Sequence, residues 1–429
     1  MAIAAQHERI RSGYKQTEVG DIPEDWEVIG LSSLTAFPTQ NGVFNEPGRK
    51  GRGCKLINVI DLYSAVPIDT SSLERFDATK AEIARFGVAH GDLFFTRSSL
   101  TPDGIAHCNI YSQLQNEDIV FDCHIIRVRA NTSKIDPFFL VRYCSTAPAR
   151  KYLVANAKTT TMTTVDQGVI ANLPVPQPPL PEQRAIAGAL SHVDALIASL
   201  DELIAKKRDI KTAAMQQLLT GKRRLPGFSG EWDVRLIGSF SAFVTKGATP
   251  TTYGFNWQDD GVLFLRSECV SDDGLDLAQS MFVSEAAHAA LIRGEVRSGD
   301  ILMTITGNVG RVVHLKPEFG FANINQHIAR IRVKDPGVLA DFVYHWLSQP
   351  SVRAYYTSIT TGQAYPQISL KQVRETRIPL PNLREQTAIA IVLSDMDAEI
   401  AALEQRRDKT RDIKQAMMQE LLTGKTRLI

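Results

Sequence analysis

A chain of 429 residues, 44% hydrophobic and 22% charged, has the make-up of an ordinary soluble globular protein with room for two or three cored domains. Its formal net charge of +1 lacks the basic excess typical of proteins that grip nucleic acid alone, so composition gives no sign of such a partner. No run of about 18 apolar residues occurs, which excludes a membrane span, and the polar start MAIAAQHERIRSGYKQ has no signal-peptide core. Five cysteines (Cys54, Cys108, Cys123, Cys144, Cys269), odd in number and without CxxC spacing, fit a reducing cytoplasm and speak against a structural zinc site.

Residues 1–12 are polar. Trp26, in EDWEV, suits packing at the start of a domain, because its bulk favours burial. From Val28 to about Leu173, short apolar segments (Lys55–Ile60, Asp92–Phe95, Ile125–Val128) predict strands between clusters of Gly, Pro, Ser and Asp. Thr79–Phe86 and Pro137–Cys144 predict helices. A Pro-rich stretch, Pro174 to Pro181, leads into a helix of about 39 residues closed by Gly221. Its apolar stripe, Leu190, Val193, Ile197, Leu200 and Ile204, alternates steps of three and four. The cluster Lys206-Lys207-Arg208-Asp209 interrupts the stripe, which resumes at Ile210, Ala214 and Leu218 out of phase, as a stutter would.

Trp232, in GEWDV, then restarts the same order. Val262–Arg266, Ile301–Thr304 and Ile328–Val333 predict strands; Glu285–Arg293 and Leu339–Ser348 predict helices. GDLFFTRSS matches GDILMTITG, HIIRVR (124–129) matches HIARIR (327–332), and Phe139 matches Phe342. The second long helix repeats the first without a gap: Glu182 to Leu225 and Glu385 to Leu428 share about 27 of 44 residues, about 203 positions apart. Its stripe is Leu393, Met396, Ile400 and Leu403, then Ile413, Met417 and Leu421. The chain is a tandem duplication of a Trp-bearing start, a globular segment and a helix. A helix of roughly 58 Å at ~1.5 Å per residue outruns one domain face, so the two are expected to pair as an antiparallel coiled coil.

Catalytic signatures are missing. There is no NPPF/Y or DPPY tetrapeptide, no HExxH or GxSxG, and TGKT (423–426) lacks the glycine a phosphate loop needs five residues before Gly424, where Gln419 stands. Base reading instead needs short polar or basic side chains on loops held by strands. The candidates are Thr96, Arg97, Ser98 and Ser99, opposite Thr304, Ile305, Thr306 and Gly307, with Asn308 and Arg311 beyond. The alternative for Arg97 is a surface salt bridge. A second set is Thr159, Thr160, Thr161, Thr163 and Thr164, opposite Thr361, Gln363 and Tyr365; the alternative is a plain connector. In PGRKGRGCK, Arg49, Lys50, Arg52 and Lys55 form a basic turn suited to phosphate or simply to solvent. His124 and His327 read as structural hydrogen-bonders.

LPEQRAIA…LLTGKRRL and its second copy, with YKQTEVGDIPEDWEV near the start, resemble the conserved regions of type I restriction–modification specificity subunits, and the resemblance covers the whole chain. It implies an α+β protein: two duplicated mixed α/β target recognition domains separated by a long antiparallel two-helix coiled coil, related by a pseudo-two-fold. The expected divisions are a recognition domain at 1–178, a helix at 179–225, a second recognition domain at 226–380 and the pairing helix at 381–429. The resemblance further implies a non-catalytic, cytoplasmic subunit that reads a bipartite asymmetric site in double-stranded DNA. Partners would be two methyltransferase subunits and restriction/translocase subunits, which would carry S-adenosylmethionine, ATP and Mg²⁺; this chain would hold no cofactor or metal. A basic ridge (Lys206, Lys207, Arg208, Lys211, Lys409, Arg411, Lys414) is the expected docking face for the methyltransferase. Two rival readings are a coiled-coil scaffold that never touches DNA, which the neutral charge favours, and a self-contained nuclease or methyltransferase, which the missing motifs oppose.

Overall fold

The computed structural model describes residues 11–64, 66–114, 117–362 and 365–428. They form two compact units. One comprises the described residues through Ser199 together with those from Arg407; the other is Leu200–Arg406. The long helices are Leu180–Leu218 and Leu383–Leu421, each of 39 residues, whereas the units divide at Ser199/Leu200 and Arg406/Arg407. Each helix is therefore divided between the two units.

The first unit is built on an antiparallel sheet, Gln40–Asn41, Ile125–Arg129, Asp92–Thr96 and Cys108–Ile110 in spatial order, and a second sheet in which Lys50–Ile57 lies between Ile119–Phe121 (parallel) and Glu74–Phe76 (antiparallel). The second unit repeats both. Ser241–Lys246, Ile328–Val333, Ile301–Thr304 and Val312–His314 form one sheet. In the other, Val262–Leu265 lies between Met281–Val283 and Phe321–Ile324. Strands and helices expected from the sequence stand within a few residues of their positions; Pro137–Cys144, Ile301–Thr304 and Ile328–Val333 match at both ends. The segment Lys55–Ile60 instead leaves the strand at Ile57 and turns into a short 3-10 helix, Val59–Tyr63, started by an Asn58–Asp61 capping box.

The matched landmarks are scaffold. Asp92 and Asp300, of the two GD dipeptides, are fully buried, where an unpaired carboxylate would cost several kcal/mol. Each is gripped by two guanidinium nitrogens, from Arg129 and Arg332, the final arginines of HIIRVR and HIARIR. The preceding arginines of those strands, Arg127 and Arg330, lie over Phe37 and Phe243. Burial depresses both, Arg330 to about 10.

The repeated helices explain their own motif. In the first unit Arg427 donates to Glu182 at 2.7 and 2.8 Å and to Asp25 at 2.9 Å, and lies 5.5 Å from the Trp26 ring. In the second unit Arg224 grips Glu385 with two nitrogens and lies 5.4 Å from Trp232. The arginine of TGKxRL that follows one helix thus clasps the glutamate of EQ that begins the other. The neighbouring glutamines, Gln183 and Gln386, bond the backbone at Pro178 and Pro381 and accept from Asp136 and Leu339. Gly221 and Gly424 take φ +70° and +71°, and a Cβ on Gly424 would collide with Pro23 and Trp26.

Within each unit the helix segments run antiparallel, Asp194 opposite Lys414 in the first, Lys207 opposite Glu399 and Lys211 opposite Asp397 in the second. Leu190, Leu200, Ile204, Leu218, Leu393, Ile400 and Leu421 are buried, with Val193, Ile197, Met396 and Leu403 half-buried, as the stripe requires. The stutter is a correction: Ile210 and Ile413 are 45% and 48% exposed. The shielded positions continue in step through Lys207, Lys211, Ala214 and Leu218, and through Arg407, Thr410, Lys414, Met417 and Leu421. Lysine and arginine stems occupy seam positions and their charged ends reach carboxylates, so the heptad never breaks. The same pairing corrects the basic ridge. Lys207, Arg208, Lys211 and Lys414 are bound to Glu399, Glu404, Asp397 and Asp194, and Arg411 lies 3.5 Å from Asp408, so that among the described residues Lys206 and Lys409 are the ridge's exposed cations with no side-chain ion pair.

No helix among the described residues is long and apolar enough to cross a membrane. All five cysteines are free thiols.

Candidate nucleic-acid interface

Two of the three predicted sets come together in each unit. In the first, Ser98–Ser99 pairs antiparallel with Thr163–Thr164, which pairs in turn with Lys158–Thr159. The Thr-rich stretch is therefore a small β-hairpin, neither a free loop nor a plain connector. Thr159, Thr160, Thr161 and Thr164 are exposed, the Thr164 hydroxyl donating to the Lys158 carbonyl at 3.4 Å, while Thr163 is buried and shares a hydrogen bond of 3.1 Å with Thr159. Arg97 is held by its backbone, its N–H donating to His124 and its carbonyl accepting from Val165, and its guanidinium is exposed.

In the second unit, Gly307 donates to the Pro366 carbonyl, and Gln367 bridges both Thr306 and Thr361. Tyr365 is 74% exposed beside this turn; Gln363 lies outside the described residues. Ile305 takes the backbone place of Arg97, donating to His327 and accepting from Ile368, but its side chain is buried. The two turns share one backbone and present different chemistry.

Thr96 and Thr304 are corrections as contact residues. Both are buried. Thr96 Oγ1 donates to the Gly104 carbonyl and accepts from the His107 N–H; Thr304 Oγ1 donates to the Asn308 carbonyl and accepts from the Arg311 N–H. They fasten the turn: each hydroxyl's single donor is committed, and burial keeps its remaining lone pair from a base. Arg311 is drawn to Asp272 at 3.3 Å, which Arg353 also holds. Asn308 is exposed.

The basic turn lies on the other sheet of the first unit, and each of its cations has an acidic partner. Arg49 grips Glu82, Lys50 reaches Glu74 at 3.0 Å, Arg52 reaches Asp77 at 2.9 Å and Lys55 reaches Glu117 at 2.6 Å. The Arg49 guanidinium holds the Glu82 carboxyl down to about 2, a pair that phosphate would have to displace. His124 and His327 are hydrogen-bonders as expected, His124 to Asp122 at 2.9 Å and His327 to Gln326 at 3.0 Å. Asp122, Cys123 and His124 bring their donor atoms within 4.8 Å of one another. Asp122 is already the acceptor for Asn45 and for the His124 N–H and ring, the bonds of a strand-ending turn.

Sequence reasoning missed a cavity of about 580 Å³ in the second unit. Thr304, Thr306, Asn308, His327 and Tyr365 line it, and so does Glu268, from the short helix Ser267–Cys269. The available signal was the acidic run SECVSDDGLD, odd in a module expected to meet DNA.

A family model described as the type I restriction modification DNA specificity domain matches residues 89–206 and 231–410. The chain is 27% identical, over 97% of its own length and 97% of the relative's, to a putative type I restriction enzyme MjaX specificity subunit of Methanocaldococcus jannaschii. It is 23% identical to the MjaVIII specificity subunit of the same organism, covering 95% and 94% of the two chains. Among solved structures, a chain of a type I R-M system superposes with a TM-score of 0.57 at 18% identity, covering 94% of this chain and 99% of that one. The type I restriction-modification S subunit of M. genitalium gives 0.57 at 14% identity, with coverage of 92% and 96%. The two matched stretches hold both loop clusters and the N-terminal part of each long helix, and the chain belongs to the type I restriction modification DNA specificity domain family.

Proposed function

We propose that this chain is the DNA sequence-specificity subunit of a type I restriction–modification complex, and that each unit reads one half of a bipartite site in double-stranded DNA. The observation that carries the reading is the contrast between the units. The buried Asp–Arg grip, the Thr-fastened turn and the clasped helix ends are duplicated, while the side chains the turns present differ: Arg97 and a threonine hairpin in one, Thr306, Asn308 and Tyr365 in the other. A scaffold protein has no need to hold one frame and vary only the groups at its loop tips. Bases are discriminated by such groups.

The subunit is non-catalytic in this reading. It acts in the cytoplasm with two methyltransferase subunits and with restriction/translocase subunits, which supply S-adenosylmethionine, ATP and Mg²⁺. The near-neutral charge and the ion-paired basic turn fit a division of labour in which partners provide much of the phosphate contact. Lys206 and Lys409, exposed on the helices, are where methyltransferase contact is expected. The test is sequence-selective retention of duplex DNA by the purified chain with its methyltransferase partner, followed by replacement of Thr160, Thr161 and Thr164 with alanine. A change confined to one half-site supports the reading. Absence of any sequence preference in the complex, or equal loss at both halves, refutes it.

A further inference from the structure

The cavity of the second unit contains a carboxylate that DNA phosphate would repel. Glu268 is exposed on its wall, and its only side-chain partner among the described residues is the Ser267 hydroxyl at 3.2 Å. The nearby acids are otherwise engaged: Asp272 by Arg311 and Arg353, Asp273 by Arg208, and Asp276 by the Ala278 N–H it caps. A carboxylate without a cationic partner on a face that meets a polyanion is unfavourable unless it points at hydrogen-bond donors. The donors DNA offers in the major groove are the exocyclic amines of cytosine and adenine, and a carboxylate, an acceptor at every lone pair, suits the cytosine N4 amine.

The equivalent position in the first unit sharpens this. Strands Lys50–Ile57 and Val262–Leu265 end alike, Ile57 accepting from Asp122 and Leu265 from Asn325. Asn58 and Arg266 are then the N-caps of the short helices Val59–Tyr63 and Ser267–Cys269. Two residues past each cap stand Ile60, 74% exposed, and Glu268. One frame thus offers an aliphatic tip in one unit and an acceptor in the other, against the Thr306, Asn308 and Tyr365 side of the cavity.

We infer that Glu268 is a specificity-determining residue of the second unit, accepting a hydrogen bond from a cytosine N4 amine in the major groove of its half-site. The inference rests on the DNA-reading function proposed above. The test uses the full-length chain with its methyltransferase partner and a duplex library randomised across the site, comparing wild type with Glu268→Gln and Glu268→Ala. Wild type selects cytosine at one position of one half-site. Both variants lower that selection by roughly 5- to 150-fold, the range of one well-made base contact, with the other half-site unchanged. Because glutamine also offers a donor, Glu268→Gln shifts the position towards adenine. Unaltered base preferences in both variants, or a uniform change in affinity across all sequences, overturns the assignment. A wild-type complex that selects no sequence at all overturns the functional reading itself, an outcome distinct from either.

Discussion

Replacing Arg427 with alanine should destabilise the first unit by about 3–5 kcal/mol, the usual cost of stranding one member of a buried ion pair. Three contacts are lost. The Glu182 side chain, 5% exposed, loses both hydrogen bonds from the guanidinium. The Asp25 bond adds little, since that carboxylate is 55% exposed. The stacking over Trp26 contributes roughly 0.5–1 kcal/mol. Glu182 also sits in the first turn of its helix, where the N-terminal dipole offsets about 0.3–1 kcal/mol of the loss, so the lower end of that range, near 3 kcal/mol, is expected. The assay is hydrogen exchange against urea, followed on peptides around residues 14–30 and 180–190. Glu182→Gln in the same chain removes the stranded charge and should restore more than half of the loss. A loss below about 1 kcal/mol, or a double variant as unstable as the single one, would refute the clasp as the element joining helix end to helix start. Arg224→Ala, which strands the fully buried Glu385, should act equally strongly on the second unit.

The remaining predictions concern pH, the loops and the duplication. Burial holds His345 at about 4, below its ordinary 6.5, so the unfolded chain binds the extra proton first; stability of the second unit falls as pH drops from about 6.5 to 4 by roughly 3 kcal/mol. His345→Gln should flatten that slope in denaturant titrations, and an unchanged slope would locate the dependence elsewhere. Thr96→Val and Thr304→Val, each leaving two turn partners unpaired, should cost about 1–3 kcal/mol by urea melts; a neutral outcome would mean the turns hold without their threonines. Ile60→Glu should introduce a preference for cytosine into the first half-site, read by the same library selection. A fragment of residues 1–225 lacks the Arg427 clasp and Leu421, but carries the equivalent Arg224 and Leu218 of its own helix. Two copies can exchange these elements, so sedimentation should give a dimer; a monomer at tens of micromolar would contradict the exchange.

Much of the fold was legible because duplication makes a sequence its own alignment. GD, HIxRxR and EQ…TGKxRL stood out as repeated, and each proves to be half of a buried ion pair or a helix clasp that the frame cannot lose. The failures share one cause: side-chain type was read without its neighbours. Ile210 and Ile413 look like stripe residues, yet the heptad passes through lysine and arginine stems. The cations from Arg49 to Lys55 look like a phosphate patch until their acids, 24 or more residues away, fold beside them. Thr96 and Thr304 look like base readers, but burial turns their hydroxyls inward. Glu268 was missed because the acidic run SECVSDDGLD does not itself reveal which of its acids distant arginines hold, as Arg311, Arg353 and Arg208 hold Asp272 and Asp273.

The most direct measurement is the methylation pattern left on genomic DNA by the complete complex, first with the wild-type chain and then with Thr160, Thr161 and Thr164 replaced in the first unit only. Two units that each read a half-site should give one bipartite, asymmetric motif, and the loop variant should change one half while leaving the other half and the spacing intact. A single undivided motif, or a change that spreads over both halves, would contradict it.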